Sequence, residues 1–269
     1  MGRARPWALV PQDVRDIGEP GTVASVIARM ESILGPLPET DGVACFTLLY
    51  LDVTKAVGAE LKNATFADPG FLHRLDVVFA DLFFDALAAH ERNPRDAPRA
   101  WAPLFECRSN RGVAPLQFAL AGMNAHINRD LPVALVTTWT ESRIEPALGS
   151  PQHSDFEQVN DVLASVERRI KRRYLTGWLN ALDHLLHRFH RLDSILAMWN
   201  VRTARAAAWV NGLALWALRD DEELFGQYLR NLDRTVGLSG RGLLIPSDTS
   251  LRKVDRRIRR ARQDPLWWI

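Results

Sequence analysis

A chain of 269 residues, 47% hydrophobic and 25% charged, is long enough to bury a sizeable core and too apolar to stay disordered. Its formal net charge of +2 excludes a chain-wide basic field, so no specific nucleic-acid partner is expected. Two cysteines, Cys45 and Cys107, are too few for a disulfide framework or a zinc knuckle, and each reads as a free thiol.

Residues 1–20, rich in Pro, Gly and charge, read as an irregular lead-in without the apolar core of a signal peptide. No uninterrupted apolar run approaches the roughly 18 residues of a membrane span, so a cytoplasmic location is expected. From Thr22 the spacing of Val23, Val26, Ile27, Met30, Ile33 and Leu34 is helical, and Gly35-Pro36 stops it. In VACFTLLYLDVTKAVGAEL the residues Phe46, Leu49, Tyr50, Val53 and Val57 keep a 3.6 period, which favours a second helix over a strand. A third helix covers residues 71–90, entered through Asp68-Pro69-Gly70 and left at Asn93-Pro94. The loop NPRDAPRAWAP leads to a helix over APLQFALAGMNAHINRDLPVAL, where Pro132 is expected to kink or restart the helix. After SRIEPALGSP, helical stretches run from His153 to about Leu192, from Ser194 to Leu218 and from Glu222 to Leu232. With neither strand alternation nor an internal repeat, the expected fold is all-α, a single-domain bundle of about seven helices over residues 21–246. A basic helix or tail over 247–269 follows.

Four polar groups sit at helical ligand spacing. His126 and Asp130 in GMNAHINRDLP are i,i+4, with Cβ atoms roughly 6 Å apart on one face. His153 and Glu157 in QHSDFEQVND repeat that geometry. Asp81 and Asp85 are i,i+4 inside the apolar VVFADLFFDAL, where two like charges need an Arg or a metal ion to compensate them. In DHLLHRFH, Asp183 and His187 are i,i+4 with His184 and His190 nearby, although the interleaved Arg188 and Arg191 suit a solvated face better. Each His–acid pair alone fits a surface pair or a tertiary hydrogen bond. Together they fit an all-α scaffold that turns His and carboxylate ligands inward to a divalent metal, with zinc, manganese or iron suiting the mixed N/O donors.

HINRDLPVAL followed by HSDFEQVND resembles the zinc-dependent phospholipase C and S1/P1 nuclease group. That resemblance implies a phospholipase C/P1 nuclease-like bundle in which His126, Asp130, His153 and Glu157 are metal ligands. It further implies that Asp81 or Asp85 is an upstream bridging aspartate. The whole chain more closely resembles a family of uncharacterised bacterial proteins that share the GMNAHINRDLP block, the PLFECR-like segment and the WNVRTARAAAW helix.

The expected function is a metal-dependent enzyme, a phosphoester hydrolase acting on a small-molecule or lipid-like substrate. Asp85 and Glu157 are its candidate catalytic carboxylates, and bound metal would generate hydroxide and stabilise phosphoryl charge. The alternatives are a di-iron oxidase-like enzyme and a non-catalytic helical binding protein. If His126 and Asp130 face a site, they share an internal pocket with His153, within about 6 Å of it. Asn124 and Asn128, on the opposite face, would then bond a neighbouring helix or loop, with Gly122 allowing a close approach. Arg202 and Arg205 are candidates for an anion or for neutralising Asp81 or Asp85. Trp199, Trp209 and Trp216 read as core. The tail carries seven Lys/Arg between Arg252 and Arg262 and ends in Trp267-Trp268, so it is a candidate for weak contact with an anionic surface.

Overall fold

Thr22 starts the first helix, α1 (Val23–Leu34), with a capping box: its side chain accepts from the Ser25 amide at 3.1 Å, and the Ser25 hydroxyl accepts from the Thr22 amide at 3.2 Å. The same chemistry opens most later helices in the structure, a computed structural model that describes residues 21–63, 66–164 and 200–246. Asp41 caps α2 (Gly42–Asn63) by accepting from the Val43 amide at 2.8 Å. Asp68 caps α3 (Pro69–Arg92) through the Phe71 amide at 3.0 Å, with Pro69 in the first turn where no amide is needed. The helix over 151–164, α7, begins at Ser150, whose hydroxyl accepts from the His153 amide at 3.1 Å. Asn200 and Asp221 cap α8 (Val201–Ala217) and α9 (Glu222–Leu243), each accepting from an amide at 3.0 Å.

No strand occurs among the described residues, and the fold is all-α. Between α3 and α7 the chain forms α4 (Ala102–Cys107), α5 (Pro115–Ala125), a π turn (His126–Asp130) and α6 (Leu131–Ser142). The α5–π–α6 rod is the hub. On its α5 end pack α2, α4 and α9; on its α6 end pack α3 and α8; and the π turn itself touches α3, α8 and α9.

The π turn has a local cause. Pro132 lacks an amide and its ring crowds the carbonyl four residues back, which opposes a straight α-helix through Asn128. The chain widens by one residue, and the Leu131 amide bonds the His126 carbonyl five residues back. Pro132 thus sits in the first turn of α6, which follows the π turn without a non-helical break.

Three elements depart from the sequence expectation, the first being the helix expected from Ser194 to Leu218, which starts at Val201 with Asn200 as its extended cap. The segment read as a loop before residue 103 runs into the short α4, which Trp101 and Phe105 bury in the core. The last described helix does not stop near Leu232 but continues to Leu243 through GLSGRGL. Its glycines weaken the helix locally yet let it approach its neighbours: a Cβ on Gly237 would run into the Arg99 carbonyl oxygen, and one on Gly240 would lie 3.5 Å from Pro103. The lead-in over 1–20, the helix expected beyond residue 164, the Asp183–His190 cluster, Trp199 and the basic tail lie outside the described residues.

Among the described residues one window, Gly42–Ala59, is long and apolar enough to cross a membrane, although polar residues interrupt it. Of that window 61% is buried within the protein, where α2 serves as a core helix. As expected, Trp209 is buried: it meets Trp139 edge-on at 5.0 Å, while Trp216 packs at the margin and donates to Glu145 at 3.1 Å. Cys45 and Cys107 are free, and burial pushes the Cys45 thiol up to about 11.

Candidate functional site

The π turn places His126 and Asp130 side by side in the core, 1% and 0% exposed, with His126 Nδ1 at 3.1 Å from Asp130 Oδ2. Asp130 is held from three directions. The Trp101 indole donates to Oδ2 at 2.8 Å, and Arg129 donates to Oδ1 at 2.7 Å. Arg129 in turn faces Asp233 of α9 at 3.7 Å, and Asp233 accepts the amides of Arg99 and Ala100 at 2.8 and 3.0 Å. Burial alone would raise the Asp130 carboxyl, but the bond from His126 and the charge of Arg129 outweigh it and hold the group below its ordinary value. Burial lowers His126 despite the carboxylate beside it. A neutral ring beside a carboxylate must carry its proton on Nδ1, which fixes the tautomer and leaves Nε2 as the acceptor.

The other side of that ring is aromatic. Phe79 stacks flat on it, with centroids 3.5 Å apart and planes 6° apart, and Tyr50 meets it edge-on at 4.5 Å. His126 lines a pocket of about 70 Å³ whose other walls are chiefly Leu, Val, Phe and Met side chains. Tyr50, Asp76 and Arg205 are its other polar residues. Asp76 Oδ2 and His126 Nε2 are buried without a hydrogen-bond partner, and Tyr50 Oη, also buried, makes no well-formed hydrogen bond although the Thr54 hydroxyl lies beside it. Burial, with Asp76 and Asp130 nearby, pushes the Tyr50 phenol well above its ordinary value, so it remains an O–H donor. Burial raises the Asp76 carboxyl to about 7, where it is poised between donor and acceptor forms.

Of the six metal ligands expected from sequence, only His126 and Asp130 meet as a buried pair. Asp130 is occupied by Trp101 and Arg129, and the pair forms a hydrogen-bonded dyad. His153 lies elsewhere: its Nδ1 accepts from the Gly149 amide at 3.1 Å and its ring packs on Trp209 at 4.7 Å. Glu157 accepts from Asn160 at 3.1 Å. Asp81 is half exposed, 3.9 Å from Arg29, and Asp85 sits a turn further along the same margin. Among the described residues, no three or more His, Cys, Asp or Glu stand close enough to hold a metal ion. Asp76, and neither Asp81 nor Asp85, is the α3 carboxylate that lines the pocket beside His126, while Asp81 turns to Arg29 of α1.

The opposite face of the opening motif behaves as expected. Asn124 donates to the Val236 carbonyl of α9 at 3.0 Å, and Asn128 donates to Asn124 at 3.1 Å. Gly122 admits the ring of Phe46, which a Cβ would strike. Arg205 does not neutralise Asp81 or Asp85. It bonds Asn160 and the Phe156 carbonyl, at 2.9 and 2.7 Å.

Sequence reasoning passed over Tyr50, Asp76, Phe79 and Trp101. Asp76 shares a face of α3 with Leu72, Leu75, Phe79 and Phe83, of which Leu72, Leu75 and Phe83 are buried, but α3 is apolar on nearly every side and that face does not stand out in the sequence. Asp155, inside the HSDFE block, was also passed over. It is 3% exposed and accepts the amides of Ala67 and Asp68 at 2.9 and 2.6 Å, tying α7 to the start of α3.

Fold and site together define an all-α protein with a buried, oriented His–Asp dyad beside an apolar pocket. The chain belongs to the family of unknown function DUF5995, whose model matches residues 23–246. No curated protein and no solved structure matches it.

Proposed function

We propose that the protein binds a small, largely apolar molecule in the Tyr50–Asp76–His126 pocket and acts on it through His126. One observation carries this reading: three buried polar atoms that make no well-formed hydrogen bond within the protein belong to residues walling a single apolar pocket. Leaving a buried polar group unsatisfied costs about 1–3 kcal/mol, so three in one place favour a ligand, or water that a ligand displaces. Tyr50 offers a donor, Nε2 an acceptor and Asp76 either, which suits a head group with both an O–H or N–H and a lone pair.

The dyad supports chemistry beyond binding. With Nδ1 held by Asp130, Nε2 is oriented to take a proton from a bound hydroxyl, amine or activated C–H, and Asp130 would stabilise the imidazolium that forms. A metal-dependent phosphoester hydrolase or a di-iron oxidase would need ligands beyond the dyad, because His153, Glu157 and Asp81 are engaged elsewhere.

A fragment screen followed by amide and imidazole NMR tests the proposal. Hits should shift the signals of Tyr50, Phe79 and His126, and should be lost in Val201→Trp, which fills the pocket from its half-buried rim. Hits that persist in that variant, or a screen in which nothing perturbs these residues, would reject it.

A further inference from the structure

Arg205 carries a buried charge that no carboxylate pairs among the described residues. It is 7% exposed, lines the same pocket from α8 and lays its guanidinium over the Phe156 ring at 4.0 Å. Two partly buried guanidinium ions among the described residues are bonded to carboxylates: Arg108 to Asp41 at 2.8 Å, and Arg129 to Asp130 at 2.7 Å. Arg205 instead spends Nε on the Asn160 side-chain oxygen and Nη2 on the Phe156 carbonyl, both neutral acceptors. Its Nη1 makes no hydrogen bond among the described residues, and no carboxylate there lies within ion-pair distance. The nearby acid is Glu157, which bonds Asn160.

A buried cation on neutral acceptors is costly unless an anion joins it. Even with burial lowering Arg205 to about 10, it stays protonated at neutral pH. The free edge formed by Nη1 and the second Nη2 hydrogen has the fork geometry that a carboxylate matches with two hydrogen bonds. Charge selects within the oxyanions. One guanidinium neutralises a monocarboxylate, whereas a phosphate monoester, with about −1.5 to −2 charge at pH 7, would leave an unpaired charge against apolar walls.

We propose that the ligand of this pocket is a small apolar monocarboxylate, its carboxylate held by Arg205 and its body against the Leu, Val and Phe walls. The assignment rests on the pocket being a binding site, as proposed above.

The test titrates the full-length protein with hexanoate, hexan-1-ol and hexyl phosphate, followed by NMR shifts of the pocket residues. Hexanoate should bind about tenfold tighter than hexan-1-ol, and Arg205→Met should erase that preference while leaving hexan-1-ol within about twofold. Because Arg205 also holds Asn160 and the Phe156 carbonyl, the wild-type comparison decides the matter if the variant does not fold. Hexan-1-ol binding as tightly as hexanoate would overturn the monocarboxylate assignment and leave the pocket standing. Tighter binding of hexyl phosphate would overturn it in favour of a dianion. Failure of all three to shift the pocket residues would overturn the assignment together with the binding reading beneath it.

Discussion

The imidazole of His126 lies flat on Phe79, 3.5 Å between centroids and 6° between planes, while its Nδ1 stands 3.1 Å from Asp130. Stacking fixes the ring plane and the carboxylate fixes its rotation, so the ring has one orientation and one tautomer. His126 should therefore be neutral with its proton on Nδ1 at pH 7, the form that nitrogen-15 chemical shifts of the two ring atoms distinguish directly. A ring protonated on Nε2, or an imidazolium at that pH, would contradict the dyad geometry.

Asp130 bonds the Trp101 indole, His126 and Arg129 at once. Asp130→Ala would leave a buried indole N–H and a guanidinium without their acceptor. Removing one partner of a buried charged pair costs about 3–5 kcal/mol, and urea unfolding of the variant should show a loss of that order. A loss below about 1 kcal/mol would mean that Asp233 alone suffices for Arg129.

Asp76 sets a pH dependence of definite sign. Its carboxyl is raised from 3.8 to about 7 by burial, so between those values the folded chain holds a proton that the unfolded chain has released. The contribution of Asp76 to stability is present below the lower value and is lost as pH rises through the upper one. Asp76→Asn cannot ionise, so its stability relative to the parent should improve from pH 4 to about 7 and then level off. His126, lowered by burial, acts in the opposite sense, its contribution being lost as pH falls below its ordinary value of 6.5. Comparing the Asn variant with the parent cancels that term. A flat difference across this range would place the Asp76 carboxyl in water.

Gly237→Ala pits two effects against each other. Alanine gains about 1 kcal/mol over glycine in a helix interior, but the new Cβ would meet the Arg99 carbonyl, a backbone atom pinned through the Asp233 bonds to the Arg99 and Ala100 amides. Overpacking of this kind costs about 1–3 kcal/mol, so the variant should be destabilised on balance. A rise in melting temperature would show that α9 can slide away.

Asp81 is 50% exposed and its partner Arg29 is 3.9 Å away, a pair of the kind worth about 0–1 kcal/mol. Asp81→Asn and Asp85→Asn should each leave stability unchanged within about 0.5 kcal/mol, as surface changes do. A larger loss by chemical denaturation would restore these aspartates to an internal role.

What the sequence by itself determined here is local. Thr22 and Asp68 mark helix starts because a short polar side chain reaches an unpaired amide three residues on, whereas the Asn200 cap stands inside a stretch that reads as continuous helix. The i,i+4 contact of His126 and Asp130 was equally legible, since one helical turn suffices to make it. Tertiary structure alone decided the rest. On α3 nearly every side is apolar, so periodicity does not choose which edge turns inward, and Asp81 and Asp85 looked as buried as Asp76. Trp101 stands 29 residues before Asp130, and Arg205 is 45 residues beyond Asn160. No spacing rule connects residues so far apart. They meet because α4 and α8 pack against the central rod, and that packing turns a helical His–Asp pair into an oriented dyad on a pocket wall.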